Sequence, residues 1–247
     1  MINGRPYRQV GDVPAGRGKG SGIICVADHA SNHVPAGIDL GIDRKLLDDH
    51  IALDIGVDGL ADRIARRHGF PAHIATVSRL VVDLHRNEDD PSVVPSESDG
   101  QLIPGNIGAD IEGRLAKFHR PYHAALADFI DRHQPRLILA LHSFTPALAT
   151  EGELRPWEVG LLYNRDDSAA MHAIRMFREQ HLSVGDNEPY SGKDLNATMD
   201  RHAEAAGIPY LTIEVRQDQI ANEAGQARWA ALIADVAGRV LLALDGQ

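Results

Sequence analysis

Apolar residues recur along this chain in two rhythms. Short, almost unbroken runs rich in β-branched residues predict buried strands at residues 22–27, 73–77, 80–84, 136–141, 159–163 and 209–215. Longer stretches follow helical spacing. Residues 43–67 carry Leu46, Leu47, Ile51, Ile55, Leu60 and Ile64 at roughly that interval, with a possible break near Gly56. Further helices are expected over 109–133, with a kink or break at Pro121, and over 167–180, capped by Asp166 or Asp167. Two more are expected over 196–206, closed by Gly207, and over 223–244. Strands and helices alternate throughout. That order predicts an α/β fold: a single three-layer α/β/α sandwich with a mixed, largely parallel central sheet.

Polar segments interrupt the pattern. Residues 1–21, rich in Gly and polar groups, read as an N-terminal arm, leaving 22–247 as one domain. Residues 87–108 and 183–195 show no periodicity, and loops of that length in a compact domain are commonly functional. No internal repeat is visible, and no Gly-rich phosphate loop follows a strand.

The chemistry is concentrated where apolar runs end. Four polar clusters stand there: Asp28-His29-Ala30-Ser31-Asn32, Asp83-Leu84-His85-Arg86, His142-Ser143 and Glu214-Val215-Arg216. In open α/β sheets ligands bind outside the carboxyl ends of the strands, so these residues are candidates for a site. Together they supply imidazoles, carboxylates and arginines, an inventory that suits metal-assisted hydrolysis of a small anionic substrate. His29 can offer one ring nitrogen to a metal while the other is fixed by a carboxylate or carbonyl; a backbone-bonded loop histidine is the structural alternative. His142 leaves a buried strand at its carboxyl edge and is better placed to ligate, and Ser143 beside it can hydrogen-bond substrate or an activated water. Glu214 reads as a general base, or as the buried partner of Arg216, which shares its side-chain parity. Asp54 and Asp58 lie four apart, on one face if the helix is continuous, and one of them could be a carboxylate ligand. Arg79 and Arg86 bracket residues 80–84. Arg86 in particular could grip a substrate carboxylate, or pair with Asp83, Glu88, Asp89 or Asp90 instead. His119 and His123 are spaced for zinc, but no Glu follows the first and Pro121 lies between them, so the zincin pattern fails.

Composition narrows the field. The formal charge is −10 and no long basic run occurs, which argues against nucleic acid as a partner. Local arginines can still hold a small anion. The single cysteine, Cys25, sits inside an apolar run and reads as a buried hydrophobe. With no cysteine pair, any zinc site must rely on His, Asp or Glu. The start of the chain lacks the apolar core of a secretory signal, and no stretch approaches the roughly 20 apolar residues of a membrane span. The expectation is a cytoplasmic protein with no membrane partner; the sequence leaves its oligomeric state open.

At this point the motifs resemble a known family, the N-formylglutamate amidohydrolases. The matching pieces are Asp28-His-Ala-Ser-Asn-His-Val-Pro35, Asp54-Ile-Gly-Val-Asp58, Ser78-Arg-Leu-Val-Val-Asp-Leu-His-Arg86, Arg120-Pro-Tyr-His123, Leu141-His-Ser143, Asn187-Glu-Pro-Tyr-Ser-Gly192 and Leu211-Thr-Ile-Glu-Val-Arg216. The resemblance implies a zinc-dependent amide hydrolase, or one using another divalent metal, related to the carboxypeptidase and aspartoacylase fold, a phosphorylase/hydrolase-like α/β/α sandwich. Its substrate would be a small anionic N-acyl amino acid. Carried over, His29 and His142 correspond to metal ligands, with Asp54 as a possible third. Glu214 is similar to the family's base and Arg86 to its carboxylate anchor, with Arg79, Asn187 and Tyr190 as lesser candidates. Two departures touch the presumed pocket. His85 stands where the family has Asn, and Asp-His-Ala-Ser-Asn replaces Pro-His-Ser-Gly. Another N-acyl amino acid, a small amide, a peptide or cell-wall fragment, or simple anion binding are the competing readings.

Overall fold

The computed structural model of this chain describes residues 4–11, 21–150 and 152–246. Its strands are β1 (Tyr7–Val10), β2 (Ile23–Ala27), β3 (Ala72–Ala75), the short hairpin β4 (Glu97–Ser98) and β5 (Gln101–Leu102), β6 (Leu137–Phe144), β7 (Val159–Leu162), β8 (Val184–Asp186) and β9 (Tyr210–Arg216). Seven of them form one sheet in the order β1-β3-β2-β6-β9-β7-β8. The centre, β3-β2-β6-β9, is parallel; β1 pairs antiparallel with β3, and β7 antiparallel with β9. The sheet is mixed and mostly parallel, as expected.

Alternation along the central strands builds two cores. Ile23, Cys25 and Ala27 point to one face, with Leu139, Leu141, Leu211 and Ile213, and meet helices α1 (Val57–Arg63), α4 (Ser168–Glu179) and α6 (Glu223–Asp245). Ile24, Val26, Ile138, Ala140 and Tyr210 point to the other, against α3 (Arg120–His133) and α5 (Ala197–His202). Both faces are covered, which explains why these strands read as continuous apolar runs. Cys25 is fully buried in the first core, and burial pushes its thiol pKa up, so it is the inert hydrophobe that its context suggested. No helix among the described residues is long and apolar enough to cross a membrane.

Several expectations change. Residues 43–67 are not one helix. A short 3-10 turn at Arg44–Asp48 is followed by irregular chain, and α1 begins only after Gly56, whose φ of 86° requires glycine. A Cβ there would also strike the Ile220 carbonyl. Residues 80–84 form no strand but a succession of turns: Val81 N–H donates to Ser78 O at 2.9 Å and Asp83 N–H to Val93 O at 2.7 Å. Their apolar side chains are buried, and burial without ladder pairing leaves the same sequence signature. Pro121 breaks nothing. Helix α2 (Ile111–Arg114) runs through wide turns at Leu115–His119 into α3, and Arg120 N–H bonds Leu115 O, five residues back. The proline falls in the first turn of the segment that follows, where its missing N–H does least harm. Part of the expected arm, Tyr7–Val10, is the edge strand β1, and the second irregular loop contains β8. The Gly207 cap is present, with φ of 64°.

Candidate active site

The carboxyl ends of β2, β6 and β9 converge on one cleft. His142 on β6 and Glu214 on β9 are directly paired in register, so their side chains stand together. Asp28 and His29 follow β2. Asp54 arrives from the irregular chain before α1, tied in by its N–H, which donates to His29 O at 2.8 Å. The Gly56 break turns Asp54 inward, whereas Asp58 lies on α1 and pairs with Arg8 at the surface. The alternative left open by spacing is thereby resolved in favour of Asp54 as the buried carboxylate.

Every member of this group is buried: His29, Asp54 and His142 are 2–4 % exposed and Glu214 7 %. Asp54 Oδ2 accepts from His142 Nδ1 at 2.9 Å and from the Ser143 N–H at 3.2 Å, and Asp54 Oδ1 lies 3.6 Å from His29 Nδ1. His29 Nε2 bonds Asp83 Oδ1 at 2.7 Å. Three polar atoms in the cluster have no partner: His29 Nδ1, His142 Nε2 and Glu214 Oε2. Buried polar atoms are rarely left so, and an unmet donor set at a cleft points to a ligand.

Electrostatics agree. Burial, then the charge of Asp54, push the Glu214 pKa up to about 8. Burial and the Arg79 guanidinium act to lower His29, but Asp83 and Asp54 outweigh them and leave it pushed up to about 9. Burial opposes ionisation of Asp54 as well, yet His29 and His142 hold its pKa below the usual carboxylate range. Without a cation the site thus retains protons to offset an excess of carboxylates. One aspartate and two imidazoles, with ligand atoms all within 4.8 Å of one another, fit a divalent metal. A second group of the same reach, Asp28, His85 and His142, lies alongside.

A cavity of about 310 Å³ opens over these residues. Arg79, His85, Arg86, Ser143 and Tyr190 line it, together with His50 and Asp99. Arg79 reaches Asp83 Oδ2 at 3.0 Å and Asp54 Oδ1 at 3.4 Å. Arg86 donates to Ser92 and to the His85 carbonyl. His85 faces Asp28 at 3.0 Å and Thr198 at 3.1 Å through Nδ1, and the Leu195 carbonyl through Nε2. Tyr190 is held by Arg155, which donates to its hydroxyl at 2.9 Å. Two expected pocket residues are not brought here. Asn187 instead holds a turn, its side-chain oxygen accepting from the Tyr163 and Gly192 N–H groups at 3.0 Å. Arg216 pairs with Asp218 and with the Arg155 and Trp157 carbonyls, not with Glu214. His119 and His123 bond the Arg86 and Leu84 carbonyls behind the site.

Asp28 and Asp83 belong to the candidate clusters but have no role of their own in the sequence reading, and Asp99 has no place in it. Their place beside His29 and His85 is the signal for the first two; nothing local marks Asp99. Asp28 is buried and accepts from Tyr122 Oη at 2.6 Å.

The chain matches the N-formylglutamate amidohydrolase family over residues 21–221. Its structure is similar to that of the gene product Atu2144 from Agrobacterium tumefaciens, with a TM-score of 0.89, 27% identity, and coverage of 98% of this chain and 96% of that one. It is also similar in fold to N-formylglutamate amidohydrolase from Ralstonia eutropha JMP134, with a TM-score of 0.75, 20% identity, and coverage of 96% and 97%. No curated protein matches the sequence. The buried donor cluster sits within the matched span, and the chain belongs to the N-formylglutamate amidohydrolase family, hydrolases of carbon–nitrogen bonds other than peptide bonds.

Proposed function

We propose that this protein is a zinc-dependent amidohydrolase that cleaves the linear amide of a small N-acylated amino acid such as N-formylglutamate. The observation that carries the reading is the convergence of unpartnered atoms of His29, His142 and Glu214 in one cavity that also holds Arg86. His29, Asp54 and His142 would hold the metal. Zinc in such a donor set supplies a Lewis acid that acidifies water and polarises the acyl carbonyl. Glu214 takes a proton from the attacking water and delivers it to the leaving nitrogen. Its unpartnered Oε2 is the atom available for both transfers. Ser143 N–H fixes Asp54, and Arg86 orients the substrate through its carboxylate, lowering the entropic barrier.

A volume of about 310 Å³ is at the small end for ligand pockets and favours an acyl amino acid over a peptide or glycan strand. The rim supports the same view. Asp99, at the tip between β4 and β5, accepts from His50 and from the Ala149 and Thr150 N–H groups, pinning the hairpin across the cavity. The soluble, cytoplasmic setting expected from the sequence suits such a metabolite.

The test is hydrolysis of N-formyl-L-glutamate by protein stripped with chelator and then reloaded with zinc. Zinc-restored turnover is expected. A folded, zinc-replete protein that leaves N-formyl-L-glutamate intact would exclude that substrate and direct the search to other N-acyl amino acids.

A further inference from the structure

We propose that Asp83 and Arg79 are positioning residues that fix His29 and Asp54 for metal binding, and that Arg79 belongs to the site's framework, not to the substrate. The inference rests on the metal-dependent reading above.

Asp83 decides which nitrogen His29 presents. A carboxylate only accepts, so His29 Nε2, 2.7 Å from Asp83 Oδ1, carries its hydrogen and donates it. Once deprotonated for ligation, the ring has its lone pair on Nδ1, the atom that is unpartnered and 3.6 Å from Asp54 Oδ1. Asp83 is itself held from two further directions: the His85 N–H donates to Oδ1 at 2.9 Å, and Arg79 Nη2 to Oδ2 at 3.0 Å. Carboxylates behind ligating histidines set ring orientation and basicity in this way.

Arg79 closes the circuit. Its Nη1 reaches Asp54 Oδ1 at 3.4 Å, so one planar fork spans the carboxylate behind His29 and the carboxylate beside it. Both carboxylate side chains are only 4–5 % exposed. The guanidinium that a substrate carboxylate would meet is therefore already tied to two buried carboxylates. Arg86 is held more loosely; its bonds go to a hydroxyl and a carbonyl, and its one ion pair, with the part-exposed Asp90, spans 3.9 Å.

The experiment measures zinc affinity of metal-free protein by chelator competition, with thermal melts as a control for folding. Wild type should bind zinc; if it does not, the metal-dependent reading fails before any variant is examined. Asp83→Asn should bind zinc about 10–100-fold more weakly. Asp58→Asn removes a nearby surface charge without touching His29 and should stay within about twofold of wild type. Equal affinity of wild type and a cooperatively melting Asp83→Asn, or an equal loss in Asp58→Asn, overturns the role of Asp83. Arg79→Gln, saturated with zinc, should lose kcat while KM for the hydrolysed N-acyl amino acid moves less than about twofold. A raised KM with unchanged kcat would place Arg79 on the substrate and overturn its assignment. Because the two variants are read by different quantities, poor folding of one leaves the other decisive.

Discussion

Glu214→Gln separates the chemistry of the site from its stability. In the metal-free protein, burial and the neighbouring Asp54 raise the Glu214 pKa from 4.5 to about 8. A carboxyl whose folded pKa is raised favours the folded state while protonated, below the unfolded pKa near 4.5. That contribution is lost as pH rises through the folded pKa near 8. At 1.36 kcal/mol per pKa unit, holding the site folded at pH 7 costs about 3 kcal/mol, against under about 1 kcal/mol at pH 5. Glutamine is uncharged at both pH values, so the metal-free variant should melt higher than wild type at pH 7–8, and the gap should narrow toward pH 5. For a domain of this size the shift is on the order of several degrees. The assay is a pair of thermal melts with chelator across pH 5–8. Identical profiles at every pH would refute the claim that burial and Asp54 hold the Glu214 carboxyl in its protonated form. With zinc bound, the same variant should keep full metal stoichiometry while kcat falls roughly 10²–10⁴-fold, the usual contribution of a positioned general base. Near-wild-type kcat would remove Glu214 from the mechanism.

Three further outcomes follow from the same geometry. His142→Ala removes a donor that also bonds Asp54, so both zinc stoichiometry by elemental analysis and turnover should be lost; a fully metallated variant would exclude His142 as a ligand. Arg86→Met should raise KM about 10–100-fold for a free-acid substrate and leave an amidated analogue unaffected, since a hydrogen-bonded charge pair is worth about 1.5–3 kcal/mol. Asp99→Ala frees the hairpin from His50, Ala149 and Thr150, and its preference for formyl over bulkier acyl groups should fall roughly tenfold in competition assays, with unchanged preference excluding the hairpin from specificity.

The parts of the site that could be read in the sequence share one physical cause. His142 and Glu214 end apolar runs that are buried on both faces, so the strand and its polar terminus are a local signal. His29 is legible for the same reason, two residues beyond β2. What could not be read depends on partners distant in sequence. Residues 80–84 look like a strand because burial, not pairing, selects their side chains, and only the folded turns reveal that this segment brings Arg79 and His85 to the cleft and Asp83 behind His29. β1 and β8 escaped notice because each is short and paired on one side only, which demands little apolar sequence. Arg216 and Glu214 share parity, yet Arg216 lies where β9 leaves the sheet and finds Asp218 two residues on. The choice between Asp54 and Asp58 shows how little can decide such a case. Helical spacing puts them together, but the left-handed Gly56 between them, packed against Ile220, stops the helix and sends one to the buried pair His29 and His142 and the other to Arg8. A residue at Gly56 with a Cβ would therefore act on the active site without touching it, by moving Asp54 away from His29 and His142.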